Sequence, residues 1–180
     1  MQTTRIMCCS ALVLVALAAL PQQPTSQPAK EHTTPKEGVP PAAGNSGLVG
    51  TWKLVSWQVI TENQSPQDLF GAHPRGYLVL TPEGRSIVLT TAEHRRAGMG
   101  DSERAALHKS MLAYSGRYRV EGHDFITVVD VSWNEEWNGT EQRRHFRLEG
   151  DKLFIESAPA PSILFPGNTD FRRIVWERQK

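Results

Sequence analysis

The sequence is poor in the residues that carry covalent and metal chemistry. Its two cysteines, Cys8 and Cys9, both precede an apolar run near the amino terminus. Its six histidines occur singly, without a second ligand at the spacing that a zinc site requires. A G-x-S-x-G sequence, which would present a serine nucleophile, is also missing. We therefore expect no metal, no cofactor and none of the usual covalent nucleophiles.

The sequence also lacks an excess of charge of one sign. The formal net charge is +1 over 180 residues, whereas dedicated nucleic-acid binders concentrate lysine and arginine to replace phosphate counterions. A chain with 39% hydrophobic and 22% charged residues has the composition of an ordinary globular protein. We therefore expect one domain with a hydrophobic core and no nucleic-acid partner. The sequence does not fix the oligomeric state.

Residues 1–18 are predicted to be a secretory signal peptide. Arg5 supplies a positive start, Ser10 to Leu20 is apolar, and Ala16-Leu17-Ala18 is a small-x-small cleavage site. The alternative is a membrane anchor, but a spanning helix needs about 20 apolar residues, and this run is shorter and leads directly into Pro21. Cleavage would remove both cysteines and leave a secreted or periplasmic chain without a stable membrane span.

Residues 19–47 are predicted to be a disordered linker, and residues 48–180 the folded domain. The linker is rich in proline, glutamine and threonine and has almost no large apolar residue. Such a segment cannot bury enough surface to offset the entropy of ordering it.

From Leu48 onward the chain has short segments rich in β-branched and aromatic residues, which indicate strands. Turn residues separate several of them, as at Pro82-Glu83-Gly84 and Glu149-Gly150-Asp151. One helix is predicted over Asp101 to Ala113, with Asp101 as its N-cap, packed against the strands or over their open end. The eight predicted strands span residues 50–60, 75–81, 85–91, 114–120, 125–132, 140–148, 152–157 and 171–178.

The strand pattern predicts an all-β fold, an eight-stranded antiparallel up-and-down barrel with one short helix. Strands joined mostly by hairpins can remove their exposed edges by closing into such a barrel. Its interior holds side chains and one small ligand. An open sandwich is the alternative, although no long Greek-key crossover is evident.

Five stretches, in this order along the chain, carry a family resemblance: LVGTWKLVSW, HPRGYLVLTPEGR, YSGRYRV, WNGTEQRRHFRLEGDKL and RIVWERQ. The first contains Gly50-Thr51-Trp52, a G-x-W of the kind that opens the first strand of lipocalins. Together the stretches resemble the lipocalin-like domain family of small, mostly bacterial proteins. The resemblance covers nearly all of residues 48–178 and implies a calycin-type barrel.

In lipocalins the tryptophan of the G-x-W closes the narrow end of the barrel and packs against a basic residue of the last strand. The resemblance assigns these structural roles to Trp52 and Arg178, with Arg172 or Arg173 as the alternative cation. A cation over an indole face is favourable.

The strand predicted over 140–148 puts Gln142, Arg144 and Phe146 on one face. If that face lines the barrel interior, Arg144 needs a partner, because an unpaired buried charge costs several kcal/mol. The partner is either a carboxylate such as Asp130 or the anionic head of a ligand. If Arg144 instead lies at the solvent-exposed rim of the barrel, water satisfies it. A planar guanidinium suits bidentate capture of a carboxylate, and Gln142 can add a hydrogen bond.

Aromatic residues are candidates for the rest of a pocket, because binding cavities are usually apolar and aromatic. Filling of the barrel core is the alternative for each of them. Trp57 has the opposite strand parity to Trp52, so both point inward only if a bulge or bend intervenes. The candidates are Trp57, Tyr77, Tyr114, Tyr118, Trp133 and Trp137, and the predicted ligand-binding set is Trp57, Tyr77, Tyr118, Gln142, Arg144 and Phe146.

We therefore expect an extracytoplasmic lipocalin-like protein that binds a small hydrophobic molecule, anionic if Arg144 captures its head, and that is not an enzyme. The family often has a histidine in the strand that here reads FITVVDVS, and Val128 and Val129 replace it. One alternative is a cofactor-independent isomerase or cyclase in which Tyr118, Asp130 or Arg144 assists proton transfer. The other is a filled barrel that acts as an interaction module without a ligand.

Overall fold

The computed structural model describes residues 47–162 and 165–180. The predicted signal peptide and all but the last residue of the predicted linker lie outside these residues, so both stay predictions. Within the described ranges, no helix is long and apolar enough to cross a membrane.

The described residues form one antiparallel sheet with a single α-helix, α1, at Asp101–Lys109 and a 3-10 helix at Glu135–Trp137. Two of the strands, β2 and β9, are only two residues long. The strands are β1 Gly50–Thr61, β2 Gln67–Asp68, β3 Arg75–Leu80, β4 Arg85–Thr91, β5 Met111–Glu121, β6 Asp124–Ser132, β7 Glu141–Glu149, β8 Lys152–Ser157, β9 Ala160–Pro161 and β10 Thr169–Arg178.

The eight long strands close into a barrel. Their order is β1, β3, β4, β5, β6, β7, β8 and β10, and β10 pairs again with β1. Closure satisfies the edges that an open sheet would expose. The prediction of an all-β, eight-stranded up-and-down barrel with one short helix is therefore confirmed, and the open sandwich is excluded.

A bulge in β1 lets two tryptophans of opposite parity enter the core. The pairing of β1 with β10 shifts register between Leu54 and Ser56. An extra residue in one strand turns the following side chains to the other face, so Trp52 and Trp57 both lie inside, only 0% and 7% exposed. The sequence required such a bulge if both rings were to be buried.

The end of the barrel around Trp52, the closed end, is sealed by Arg178. Its guanidinium carbon lies 4.0 Å from the centroid of the Trp52 ring, and its Nη1 donates to the carbonyl of Val49 at 2.9 Å. Nη2 of Arg178 donates a second hydrogen bond, to the carbonyl of Gly47. The indole N–H of Trp52 donates to the carbonyl of Leu48 at 2.8 Å. One cation thus ties the last strand to the first residues of the domain.

The helix is shorter than the sequence predicts. It ends at Lys109 because Met111 to Ala113 pair with β4 as the start of β5, and ladder pairing overrides the helix propensity of these residues. The N-cap is Gly100 rather than Asp101, and its N–H donates to Glu103 at 2.8 Å. No residue of α1 is buried, so the helix adds little to the core.

Replacing Arg178 should weaken the closed end. We expect Arg178→Met to lower the free energy of unfolding by about 2 to 4 kcal/mol, because charge-assisted hydrogen bonds contribute about 1.5 to 3 kcal/mol and a cation over an indole up to about 2. Urea denaturation measures this difference. Arg173→Met is the matched control, because its ion pair with Glu156 is partly exposed and should contribute less than about 1 kcal/mol. Equal losses in the two variants would contradict the closing role of Arg178.

Candidate functional site

A small cavity lies within the barrel, and its walls combine aliphatic core residues with a few polar and aromatic side chains. Its volume is about 20 Å³, which is room for a single water molecule. The residues that give the cavity its chemical character are Trp57, Tyr114, Trp137, Arg144 and Trp176.

Arg144 enters the cavity wall from β7, where it pairs with Phe125 on β6 and Ser157 on β8. Its guanidinium donates to the carbonyl of Arg143 at 2.8 Å and to Oε1 of Gln142 at 2.9 Å. Both acceptors are neutral. Among the described residues, Arg144 forms no salt bridge with any carboxylate. The side chain is therefore held in place, but no carboxylate of the described residues forms an ion pair with it.

Asp130 is not the partner of Arg144, so that prediction is wrong. Phe125 lines the cavity, so alternation along β6 puts Ile126, Val128 and Asp130 together on the outer face. Asp130 accepts hydrogen bonds from Ser115 and Arg85, each at 2.8 Å. Partial burial alone would raise the pKa of Asp130, but these two hydrogen bonds hold it below its usual value.

A second inward arginine, Arg172 on β10, is neutralised within the protein. It lies opposite Val59 on β1, and its Nη1 donates to Oδ1 of Asp170 at 2.5 Å. Asp170 is 1% exposed. The backbone N–H of Arg172 also donates to the hydroxyl of Ser157 on β8 at 3.0 Å. Ser157 pairs with Arg144 on β7 as well, so it is the shared neighbour of the two inward arginines. Of these three inward residues, Asp170 and Arg172 cancel, and the charge of Arg144 remains.

Sequence reasoning missed the pair of Asp170 and Arg172 as an interior feature. The signal was present, because Ile174 and Trp176 face inward and alternation extends that face to residues 172 and 170. Arg172 was weighed only as a substitute for Arg178 at the closed end.

Several buried hydrogen-bonding groups inside the barrel have no partner. The indole nitrogens of Trp57 and Trp176 and the hydroxyl of Thr127 are buried without one. An indole N–H can only donate, and a buried donor without an acceptor costs about 1 to 3 kcal/mol. Both tryptophans also line the cavity, so the cavity wall offers two unpartnered donors, although Oδ2 of Asp170 is also buried without a partner among the described residues.

An aromatic group lies over the end of the barrel opposite the closed end, which we call the mouth. The ring centroids of Tyr114 and Trp137 are 5.5 Å apart, and those of Trp133 and Trp137 are 5.0 Å apart. Trp137 belongs to the 3-10 helix, which Asn134 begins by accepting a hydrogen bond from the N–H of Glu136 at 3.2 Å. Trp137 therefore reaches the cavity from a short connecting segment rather than from the sheet.

The predicted ligand-binding residues do not all meet in the cavity. Trp57 and Arg144 line it, and Gln142 positions Arg144. Phe146 packs against the core without forming part of the wall. Tyr118 lies outside the wall as well, and its hydroxyl donates to the carbonyl of Thr81 at 3.1 Å.

Tyr77 is on the wrong face for ligand binding in the interior. It is 48% exposed because Leu78, its neighbour in β3, takes the inward position. The segment YLVL is apolar at every position, so alternation of polarity could not assign its faces.

The profile of the lipocalin-like domain family matches residues 49–179. With the closed barrel, the G-x-W tryptophan and its arginine in place, the chain belongs to this family. Six chains of solved structures also match. One is an uncharacterized protein from Bacteroides eggerthii DSM 20697, which is 14% identical to this chain, with a TM-score of 0.35. The alignment covers 73% of this chain and 98% of the other. No curated protein matches.

The proximity of Arg144 and Tyr114 can be tested by titration. Burial raises the pKa of Tyr114, and the charge of Arg144 lowers it. Arg144→Gln should therefore raise the pKa of Tyr114 further, whereas Arg143→Gln, which removes the same charge from the outer face, should not. Ultraviolet absorbance of the phenolate measures the pKa, and Tyr114→Phe assigns the signal. An unchanged titration in Arg144→Gln would contradict the arrangement of the two groups.

The raised pKa of Tyr114 also makes the stability of the protein depend on pH. A tyrosine whose pKa is raised on folding stabilises the protein fully below its unfolded pKa of about 10. Its contribution is lost as the pH rises from there through the folded pKa. Wild-type stability should therefore fall more steeply above pH 10 than that of Tyr114→Phe, as urea denaturation at alkaline pH would measure.

Proposed function

We propose that this lipocalin-like domain binds one small hydrophobic molecule with an anionic head, and that Arg144 receives the head. The observation that carries the proposal is the inward guanidinium of Arg144, whose hydrogen bonds within the described residues go to the neutral oxygens of Arg143 and Gln142. Arg144 is partly buried, and withdrawing a charge from water without a counter-charge is unfavourable. A ligand carboxylate would supply the missing charge and accept two parallel hydrogen bonds.

The unpartnered donors of the interior support the same ligand chemistry. The indole N–H groups of Trp57 and Trp176 need acceptors, and oxygen atoms of a ligand would supply them. The hydrophobic part of the ligand would contact aliphatic side chains of the wall, such as Leu78, Val88 and Ile155. The proposal therefore includes an apolar body as well as an anionic head.

The present cavity of about 20 Å³ is too small for such a ligand, so binding requires a side chain to move. Trp137 is the best candidate because a three-residue 3-10 helix carries it, and no residue of that helix is buried. Strand residues are fixed by ladder hydrogen bonds on both sides. We infer that a ligand enters past Trp137 and takes the space that its ring occupies.

A filled barrel that acts as an interaction module is the second candidate function. The small cavity volume favours it, because the side chains of an eight-stranded barrel can fill the interior completely. It predicts that no small molecule binds inside. Native mass spectrometry of the purified full chain, with denaturing extraction of any bound compound, separates the two functions.

The isomerase or cyclase alternative needs Tyr118, Asp130 and Arg144 near one substrate. Asp130 lies outside the barrel with Arg85, and the Tyr118 hydroxyl is engaged by Thr81. Only Arg144 remains in the cavity wall, so no acid–base pair of this set supports that function.

The proposal extends to an extracytoplasmic location on the basis of the predicted signal peptide. Expression of the full chain in a bacterium, followed by fractionation and amino-terminal sequencing, tests this. Cleavage near Ala18 supports it, and an intact cytoplasmic chain overturns it.

Arg144→Gln should weaken binding of dodecanoate, used as a probe with an apolar body and a carboxylate. We expect a loss of about 1.5 to 3 kcal/mol because a hydrogen bond between charged groups disappears, and isothermal titration calorimetry measures it. Binding of dodecanol, which has the same chain without the charge, should be nearly unaffected by the substitution.

The matched control is Arg143→Gln, which removes the neighbouring arginine from the outer face, where it pairs with Asp124 and Glu121. It should leave dodecanoate affinity unchanged. Equal affinities of wild type and Arg144→Gln for dodecanoate would remove the role of Arg144. No binding of either probe, together with a ligand-free native mass, would favour the filled barrel.

A further inference from the structure

The outer surface of the barrel carries an apolar patch that β3, β4, β5 and β6 share. Tyr77 pairs with Leu89 across β3 and β4, and Val79 with Ile87. Ile87 in turn lies opposite Ser115 on β5, which pairs with Val131 on β6. Exposed fractions are 43% for Ile87, 47% for Leu89, 48% for Tyr77 and 64% for Val131. We call Tyr77, Val79, Ile87, Leu89 and Val131 the outer apolar patch.

Some outward apolar residues elsewhere on the barrel are covered by charged side chains, although Val55 and Leu148 are 42% and 37% exposed. The guanidinium of Arg147 lies 4.3 Å from the ring centroid of Phe154, and that of Arg173 lies 5.4 Å from that of Phe171. Ile126, although it faces outward, is 0% exposed. Its cross-strand neighbours are arginines of an ion-pair network, whose long stems cover apolar surface. The outer apolar patch differs from these places because it groups four exposed apolar side chains, Tyr77, Ile87, Leu89 and Val131, on one side of the barrel.

A basic groove of about 240 Å³ adjoins the outer apolar patch. Arg75, Thr91, Ala92, His94 and Arg95 line it. The pair of Arg75 and Thr91 follows directly on the pair of Tyr77 and Leu89 along β3 and β4, so groove and patch are continuous.

Three arginines of this side, Arg75, Arg95 and Arg117, form no salt bridge within the described ranges. Arg95 is held toward the groove by the hydroxyl of Ser110 at 3.1 Å and the carbonyl of Leu107 at 3.0 Å. Within the described ranges, Arg75 has no carboxylate partner, and neither does Arg117, which lies across from Arg85 on the same face.

The nearest acids are already engaged. Glu93 accepts hydrogen bonds from the backbone N–H groups of Ala72 and His73, each at 3.0 Å, and lies 3.6 Å from Nε2 of His94 in the groove. Asp130 pairs with Arg85. The side of the barrel that exposes apolar residues thus also carries three arginines without an ion-pair partner among the described residues, against the two acids Glu93 and Asp130.

We propose that this surface docks on an anionic lipid bilayer, with the groove receiving a phosphate-containing headgroup. An apolar strip with an aromatic residue and flanking arginines is the composition that favours the headgroup boundary of a membrane. Each arginine near an anionic leaflet contributes about 1 kcal/mol to the free energy of membrane binding. A second copy of this chain fits less well, because a two-fold contact through this face would bring its basic groups together.

The test uses the full chain with Cys8→Ser and Cys9→Ser and an environment-sensitive fluorophore on Leu89→Cys. Vesicles of phosphatidylglycerol should shift the fluorophore emission to the blue, and vesicles of phosphatidylcholine should not. A matched label on Lys152→Cys, on the outer face of β8, should not respond to either. Because the label reports its own surroundings, membrane contact through residues 1–46 alone would leave it unchanged.

Arg75→Gln and Arg117→Gln should each raise the lipid concentration for half-maximal shift about fivefold, which is about 1 kcal/mol for each arginine. High salt should abolish the shift, and Ile87→Thr should weaken it. No shift, an equal shift at Lys152→Cys, or an equal response to phosphatidylcholine would overturn the proposal. Self-association lost in Ile87→Thr, seen by sedimentation velocity without vesicles, would also overturn it in favour of a second copy.

This surface lies outside the barrel, so its test is independent of ligand binding inside. Arg144→Gln should leave the vesicle response unchanged, and Arg75→Gln should leave dodecanoate affinity unchanged. The two proposals can therefore fail separately.

Discussion

The pairing of β1 with β10 is the constraint on which the rest of the structure depends. These strands are the first and last of the barrel, and their ladder converts an open sheet into a closed one. Closure forces every strand to present one face to a shared interior and the other to the outside. Arg178 joins the two ends of the chain over Trp52, and Trp52 is completely buried as a result. The position of every inward residue follows from this closure.

Much of the fold could be predicted from the sequence, because alternation and turn residues are local signals. The eight barrel strands were placed within a few residues, and the parity of Trp52 and Trp57 required a bulge. The start of β5 was missed because Met111 to Ala113 are good helix formers, and only the pairing with β4 makes them a strand. Such non-local pairing leaves no trace in local propensity.

The site was less predictable, because it depends on which face each side chain takes. Gln142 and Arg144 were placed correctly on one face because Phe146 marks it. Asp130 was misplaced because β6 has apolar residues on both faces, so its inward face could not be assigned from polarity. Tyr77 was misplaced because both faces of its strand are apolar. Alternation therefore assigns a face only where a strand is regular and polar on one side.

Arg143 and Arg144 show how strongly this assignment determines chemistry. The two residues are identical and adjacent, yet strand alternation puts them on opposite faces. Hydrogen bonds from Arg143 to Asp124 and Glu121 raise the pKa of Arg143, and these two carboxylates neutralise its charge on the outer surface. Arg144, one residue later, faces an interior with two unpartnered indole donors, where the carboxylate of Asp170 pairs with Arg172 and no described carboxylate pairs with Arg144. A carboxylate in place of Gln142 would have made Arg144 a structural residue, and its absence is the reason to look for an anionic ligand there.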